Sequence, residues 1–499
     1  MTSSPGAVAQ FDISPVRVPP RIDTQTIPYS ISSAYSFTDS VVVARTPEST
    51  FGPNGTDFNG DGDTEDRVAI EHVFDSNSTY VTDIDVLNVA VGDGFTVAAR
   101  READSGTDAN GDGDLLDRYL TVRDHATGAV SHRGDGLLVE GAAGDLFCSV
   151  ASASQGQVLD LHSFSTGNIR RFVSADLGVI DENGAVFWQS ELFAGDINGD
   201  GDQDDRLAVV CTDPSLPLVV SDRQVDEVLA ANERWVLCEV WEWLGAGDLN
   251  GDGDLADYGV LAMARGSGLT RMIGVIEPAV RIQFILEGDY VFHRNDEGFL
   301  GDQNGDGDAA DRFLEGIHLN TMQRTIWSFD GAILAVSDDV GLVAIPETEL
   351  ALDVTGDGTM DDWIAHIADA TSGSLRSLGY ATLPNERGAL TGGYAVLHLS
   401  ERGQGIPLNG DGDAFDNVPL SIHLTTGAVQ IVPHRLLSLA PPKTPNGTIG
   451  MQLYEDGVTD LNGDQLTNDR AAAVLTLNTG HLTLIQGSGP RDVEAAGNH

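Results

Sequence analysis

The chain has 499 residues, 77 acidic side chains against 27 basic ones, a formal charge of −50 and 41% apolar residues. That apolar share supports a large core and excludes a wholly disordered chain, and no apolar run reaches the ~18 residues of a membrane-crossing helix. The charge argues against nucleic acid or an anionic membrane surface as partner, because both need clustered basic residues, and it points to cations.

Residues 1–30 are Pro-rich and irregular, and are expected to form an N-terminal arm or a closing strand. They carry neither the basic start nor the roughly 7–15-residue apolar core of a signal peptide, so either export does not use that route or the chain begins after processing. From residue 31 to 490 one acidic pattern, D-x-N-G-D-G-D-x-x-D, recurs eight times, starting at residues 57, 108, 196, 248, 302, 353, 407 and 460. Successive starts lie 51, 88, 52, 54, 51, 54 and 53 residues apart. The one long gap has room for a ninth unit with a short loop, and residues 146–172 supply it: two strand-like runs around the turn SQGQ, then a Thr-Gly turn and a third run. Residues 491–499 read as a C-terminal tail.

Each unit runs from a β-rich segment (AVFWQSE, WVLCEVWE, YVFHRNDEG) through the acidic loop to a second segment (RLAVVCT, RFLEGIHL). A short turn (ATG at 126–128, STG at 165–167, TTG at 425–427) and a further strand complete it. Short runs of Val, Ile, Leu and aromatics between Gly and Asn/Asp turns are strands and hairpins, and there is no convincing amphipathic helix. Three or four strands per ~52 residues is the repeat of a propeller blade. The expected fold is all-β: a single β-propeller of eight to nine blades, with the loops joining the second and third strands.

The loop reads as a calcium site. Calcium takes six to eight oxygens, and a tight turn with acidic side chains at alternate positions supplies them, as the EF-hand loop does. In chain order the candidate ligands are Asp57, Asn59, Asp61, Asp63 and Asp66, then Asp108, Asn110, Asp112, Asp114 and Asp117, then Asp196, Asn198, Asp200, Asp202 and Asp205. They continue with Asp248, Asn250, Asp252, Asp254 and Asp257, and with Asp302, Asn304, Asp306, Asp308 and Asp311. The later loops offer Asp353, Asp357, Thr359 and Asp362, then Asn409, Asp411, Asp413 and Asp416, then Asp460, Asn462, Asp464 and Asp469. Position 7 accepts Thr359 and Leu466, so a backbone carbonyl is expected to ligate there, while the Asp at position 10 is the closing carboxylate. Thr355, Pro407, Gln465 and Leu466 break the pattern, and their three loops are expected to be weaker or empty. Several calcium ions, up to eight, are therefore expected.

A Glu precedes every loop: Glu48, Glu102, Glu191, Glu242, Glu297, Glu349, Glu401 and Glu455. An Arg follows position 10 in five units (Arg67, Arg118, Arg206, Arg312, Arg470), so the Glu reads either as half of a Glu–Arg brace or as a further ligand. These loops resemble those of the calcium-binding propellers with integrin-α (FG-GAP) repeats, D-x-[DN]-x-D-G-x-x-D. Here the closing Asp comes one residue later and the FG…GAP segments are missing. The resemblance implies calcium-loaded blades, and integrin-like ligand recognition does not carry over.

The three cysteines, Cys148, Cys211 and Cys238, lie in apolar stretches too far apart for a zinc site and read as buried thiols. No GxSxG, HExxH, Walker or GxGxxG element appears, so no catalytic residues and no organic cofactor are assigned. His293 and His398 share a position in their units and read as packing residues before catalytic ones, and Trp241 and Trp243 read as packing before a sugar platform. The functional expectation is a binding or scaffolding module for a protein or glycan partner, with structural calcium. A propeller hydrolase or lyase is the alternative. Calcium loops of this kind suit an extracellular or cell-surface setting, where the ion is plentiful.

Overall fold

The computed structural model describes residues 35–37, 41–47, 49, 64, 67–73, 78–84, 86–105, 108–109, 113–136, 138–151, 158–199, 201–244, 247–249, 253–276, 284–297, 312–440, 447–454, 461 and 470–485. The expected N-terminal arm and C-terminal tail lie outside them, as do the loops at 57–66, 302–311 and 460–469 apart from Thr64 and Leu461.

Among the described residues, 36 strands pair in chain order as nine antiparallel four-strand groups, a β-propeller fold. Each group is a meander in which neighbours in sequence are neighbours in the sheet. Groups seven and eight join into one sheet through the pairing of Thr382 with Leu399. The unit without an acidic loop is the third blade, Leu138–Ala143, Leu146–Ala151, Val158–Ser163 and Ile169–Val173. The chain divides into two compact portions, Met1–Leu229 with Arg265–Leu269, and Ala230–Ala264 with Thr270–His499.

The middle strands are buried on both faces. Gly184–Ser190 and Trp235–Trp241 bury five of seven residues each, including Phe187, Trp235, Val236 and Leu237. Their near-continuous apolar runs are what a strand needs when sheets cover both of its sides, in place of simple alternation. In the first portion, Leu159, Leu161, Phe172, Phe187, Val209 and Cys211 form one cluster across blades three and four. In the second, Leu342, Ala344, Ala365, Leu397, Leu399 and Leu420 form another across blades seven and eight. All three cysteines are buried and unbridged.

The Thr-Gly turns, Ser372-Gly373 in the seventh blade, connect the third and fourth strands. Gly128, Gly167, Gly373 and Gly427 take φ near +70° (68, 72, 72 and 70°), and their N–H groups donate to the carbonyls of Asp124, Ser163, Asp369 and His423 at 2.8–3.0 Å. A side chain would strain that left-handed position, which explains the recurrent glycine.

Candidate metal centre

In every loop-bearing blade a Glu immediately follows the second strand. Glu102, Glu191, Glu347 and Glu401 open one-turn helices, α1 (Glu102–Ser105), α2 (Glu191–Ala194), α3 (Glu347–Leu350) and α4 (Glu401–Gln404), and Glu242 opens a 3₁₀ turn. Glu102, Glu191, Glu242, Glu297, Glu347 and Glu401 are all buried, at 0–1% exposure. Where the position-10 residue is also described, the N–H of the Glu donates to its carbonyl: Glu102 to Asp117, Glu191 to Asp205, Glu242 to Asp257, Glu347 to Asp362 and Glu401 to Asp416, at 2.9–3.1 Å. Hairpin closure thus carries the Glu side chain under the loop.

One carboxylate oxygen then anchors the loop's start. Oε1 of Glu191 accepts the N–H groups of Ile197 (2.6 Å) and Asn198 (3.1 Å). Glu347 does the same for Val354 and Thr355, and Glu401 for Leu408 and Asn409. The expected Glu of the seventh blade was Glu349. The structure corrects it to Glu347, because strand closure fixes which residue turns inward and Glu349 lies on the exposed side of α3.

The remaining positions divide the work. The Asp at position 1 clamps the glycines: Asp196 accepts the N–H groups of Gly199 (2.6 Å) and Gly201 (3.2 Å), and Asp353 those of Gly356 (2.6 Å) and Gly358 (3.0 Å). Asp108 and Asp248 hold Gly113 and Gly253 likewise. The Asn at position 3 orients the closing carboxylate, Asn198 donating to Asp205 (3.0 Å) and Asn409 to Asp416 (2.9 Å). The Asp at position 7 accepts the N–H of position 9, as Asp114 does from Leu116, Asp202 from Asp204, Asp254 from Ala256 and Asp413 from Phe415.

Four sets of carboxylates converge, with one oxygen from each residue lying within 4.8 Å of the others. They are Glu102, Asp114 and Asp117; Glu191, Asp202 and Asp205; Glu242, Asp254 and Asp257; and Glu401, Asp411, Asp413 and Asp416. Position 7 joins these groups through its side chain. Position 1 is in none of these groups. Asp353, Asp357, Thr359 and Asp362 form no such group with Glu347, although that loop is fully described. Asn110, Asp112, Asp200, Asn250 and Asp252 lie outside the described residues, as do Asp57, Asn59, Asp61, Asp63, Asp66, Asp302, Asn304, Asp306, Asp308, Asp311, Asp460, Asn462, Asp464 and Asp469.

Crowding shows in the electrostatics. Burial, then the charges of Asp357, Glu347 and Asp361, push the Asp362 carboxyl up to about 6. Burial raises Asp416 as well, against the opposing charge of Arg435, whose guanidinium stands 3.2 Å away. At an effective dielectric of about 20, two ionised carboxylates 4.8 Å apart repel by ~3 kcal/mol, and such a set could hold a divalent cation.

The Glu–Arg brace does not form at Glu191, whose Oε2 has no hydrogen-bond partner, while the Arg206 guanidinium lies 5.3 Å over the Trp188 ring. His293 is buried against Glu315, 2.9 Å away, and Arg324 approaches Glu315 at 3.0 Å. Burial alone would raise the Glu315 carboxyl, yet His293 and Arg324 outweigh it and hold the group below its usual value. His398 is buried too, and burial pushes it down to about 4. Both are inter-strand packing residues. Trp243 stacks on Trp241 (5.1 Å between centroids), and Tyr258 meets Trp241 edge-on.

No family model matches the chain, and no curated protein matches it. Among solved structures, it is similar to the β-propeller domain of the Trilobed protease from Pyrococcus furiosus, at 10% identity and a TM-score of 0.33, over 70% of this chain and 96% of that one. Saccharomyces cerevisiae Sqt1 matches at 10% identity and a TM-score of 0.32, over 94% and 98% of the two chains. Pyrococcus horikoshii acylaminoacyl peptidase matches at 8% and 0.33, over 81% of this chain, which spans only 52% of the peptidase. Likeness at this level carries no functional argument. Among the described residues, no helix is long and apolar enough to cross a membrane.

Proposed function

We propose that the protein is a calcium-binding β-propeller whose ions staple the hairpins between the second and third strands, and that it acts as a binding or scaffolding module. The observation that carries the calcium reading is the convergence of three or four carboxylates in each of four loops. Hard oxygen donors on a short turn suit calcium better than softer transition metals. Occupied loops would hold rigid the exposed apolar side chains at their tips, Leu116 and Phe415 at 85% and 80% exposure and Leu255 at 50%, and so present a shaped surface to a protein or glycan partner. Loops of this type in extracellular modules bind calcium at about 10⁻⁴–10⁻³ M, which suits an extracellular or cell-surface setting. The test is calcium stoichiometry by equilibrium dialysis, with thermal melts in calcium, magnesium and EDTA. Several ions per chain and a calcium-dependent melting temperature are expected, and an unchanged melt in EDTA rules out structural calcium.

A further inference from the structure

We infer that the buried glutamate at the end of the second strand is itself a cation ligand wherever the loop carboxylates converge on it, so that the ion is held by this Glu with positions 7 and 10, joined by position 5 in the fully described loop at 407–416, rather than by a set beginning at position 1. The inference rests on reading the loops as calcium sites, and it specifies which side chains hold the ion.

Glu191 shows the reason most plainly. Its side chain is fully buried, and its Oε1 accepts both anchoring N–H groups. A neutral glutamine carbonyl could accept those two bonds equally well, without burying a charge. Oε2 nevertheless remains buried without a hydrogen-bond partner, and a carboxylate oxygen of Glu191 lies within 4.8 Å of those of Asp202 and Asp205. An ionised carboxylate in that position costs several kcal/mol unless a cation compensates it. Arg206 does not, since it is turned onto Trp188. Glu102, Glu242 and Glu401 also bring a carboxylate oxygen into a converging set, and their Oε2 atoms accept only a long bond from the position-10 N–H, at 3.2–3.3 Å. Glu347 leaves Oε2 buried without a partner too, but its loop gathers no set, so it is outside the inference.

The repeat supplies an internal control. Glu48, Glu102, Glu191, Glu242, Glu297, Glu347, Glu401 and Glu455 each directly follow a second strand in the eight blades with acidic loops. In the third blade, which has no such loop, Ala151 and Val158 are joined by SASQGQ, with no acidic residue. The position-1 Asp, in contrast, spends its oxygens on glycine N–H groups, which makes it a former of the turn.

The experiment compares the full-length protein with Glu191→Gln and Glu242→Gln, which lie in different portions of the chain, so that one carries the test if the other fails to fold. Calcium stoichiometry is measured by equilibrium dialysis, and melting temperature in EDTA. Each variant is expected to bind one calcium fewer than wild type, and Glu191→Gln to melt in EDTA at the wild-type temperature or above it, because its amide keeps both anchoring bonds and removes an uncompensated charge. Glu242 also accepts the Asp257 N–H on its second oxygen at 3.2 Å, a bond the amide cannot keep, so the calcium count alone is read on Glu242→Gln. Retention of the full count overturns the inference, as does loss of an ion by Glu191→Gln with a lowered melt in EDTA, since either outcome makes the Glu a loop anchor only. Wild type that binds no calcium sinks the underlying calcium reading, a result distinct from both.

Discussion

The loops at 353–362 and 407–416 are both completely described, and each departs from the consensus at different positions. The 407 loop has Pro407 in place of the first Asp, yet Glu401, Asp411, Asp413 and Asp416 still converge within 4.8 Å. The 353 loop keeps its first Asp, which clamps Gly356 and Gly358, but has Thr359 at position 7. There the Thr359 hydroxyl and N–H both donate to Asp357, at 2.8 and 2.7 Å, and the carboxylates do not gather. The sequence alone ranked both loops as degraded. Their geometry separates them: position 1 shapes the turn, and position 7 completes the carboxylate set.

The largest test of this distinction is removal of the ions altogether. If four sites are each held at 100 times their dissociation constant, they contribute about 11 kcal/mol together, and chelation should lower the melting temperature by about 10 °C. A second test uses the third blade, which has no loop and should respond to pH without regard to calcium. Burial holds His162 at about 4, against 6.5 for an ordinary histidine. Between those values the unfolded chain takes a proton that the folded one refuses, so stability falls as pH drops from about 6.5 to 4, by on the order of 3 kcal/mol. His162→Gln should remove that part of the slope in urea titrations at pH 7 and pH 4.5, and an unchanged slope refutes it.

Smaller effects bear on the two loops directly. Asp413→Asn should cost one bound calcium and up to roughly 3 kcal/mol of stability in saturating calcium, whereas Thr359→Asp should add one calcium to the count. Pro407→Asp should change calcium affinity least, by less than about 1 kcal/mol, because the carboxylates already converge without it. If Pro407→Asp proves the more consequential change in calcium titrations, the assignment of roles to positions 1 and 7 is reversed.

Much of the fold could be read before any coordinates. The spacing of the eight loops and the 88-residue gap located nine units, and the third blade stands where the gap placed it, at 138–173. The sequence points to Glu349 in the seventh blade, but Glu347 also lies a few residues before the loop, and only the end of strand Val340–Pro346 shows that Glu347 is the residue under it. Nor did periodicity reveal that Gly184–Ser190 and Trp235–Trp241 are buried on both faces, since that depends on sheets the strand itself does not encode. The pairing of His293 with Glu315 across neighbouring strands was equally out of reach, because it is set by register between segments separated by an entire loop.

By itself, then, the sequence determined the repeat, the meander of strands and the acidic turns, because each depends on residues close together in the chain: glycines at left-handed positions, alternating acids and short β-rich runs. Only the tertiary structure decided which carboxylates meet. Closure of the hairpin between Glu191 and Asp205 brings a side chain from outside the motif under the loop, and the orientation of position 7 settles whether a set forms. Convergence depends on where oxygens lie in three dimensions: the loop at 407–416 gathers a set without its first Asp, and the loop at 353–362, with Thr359 at position 7, gathers none within 4.8 Å.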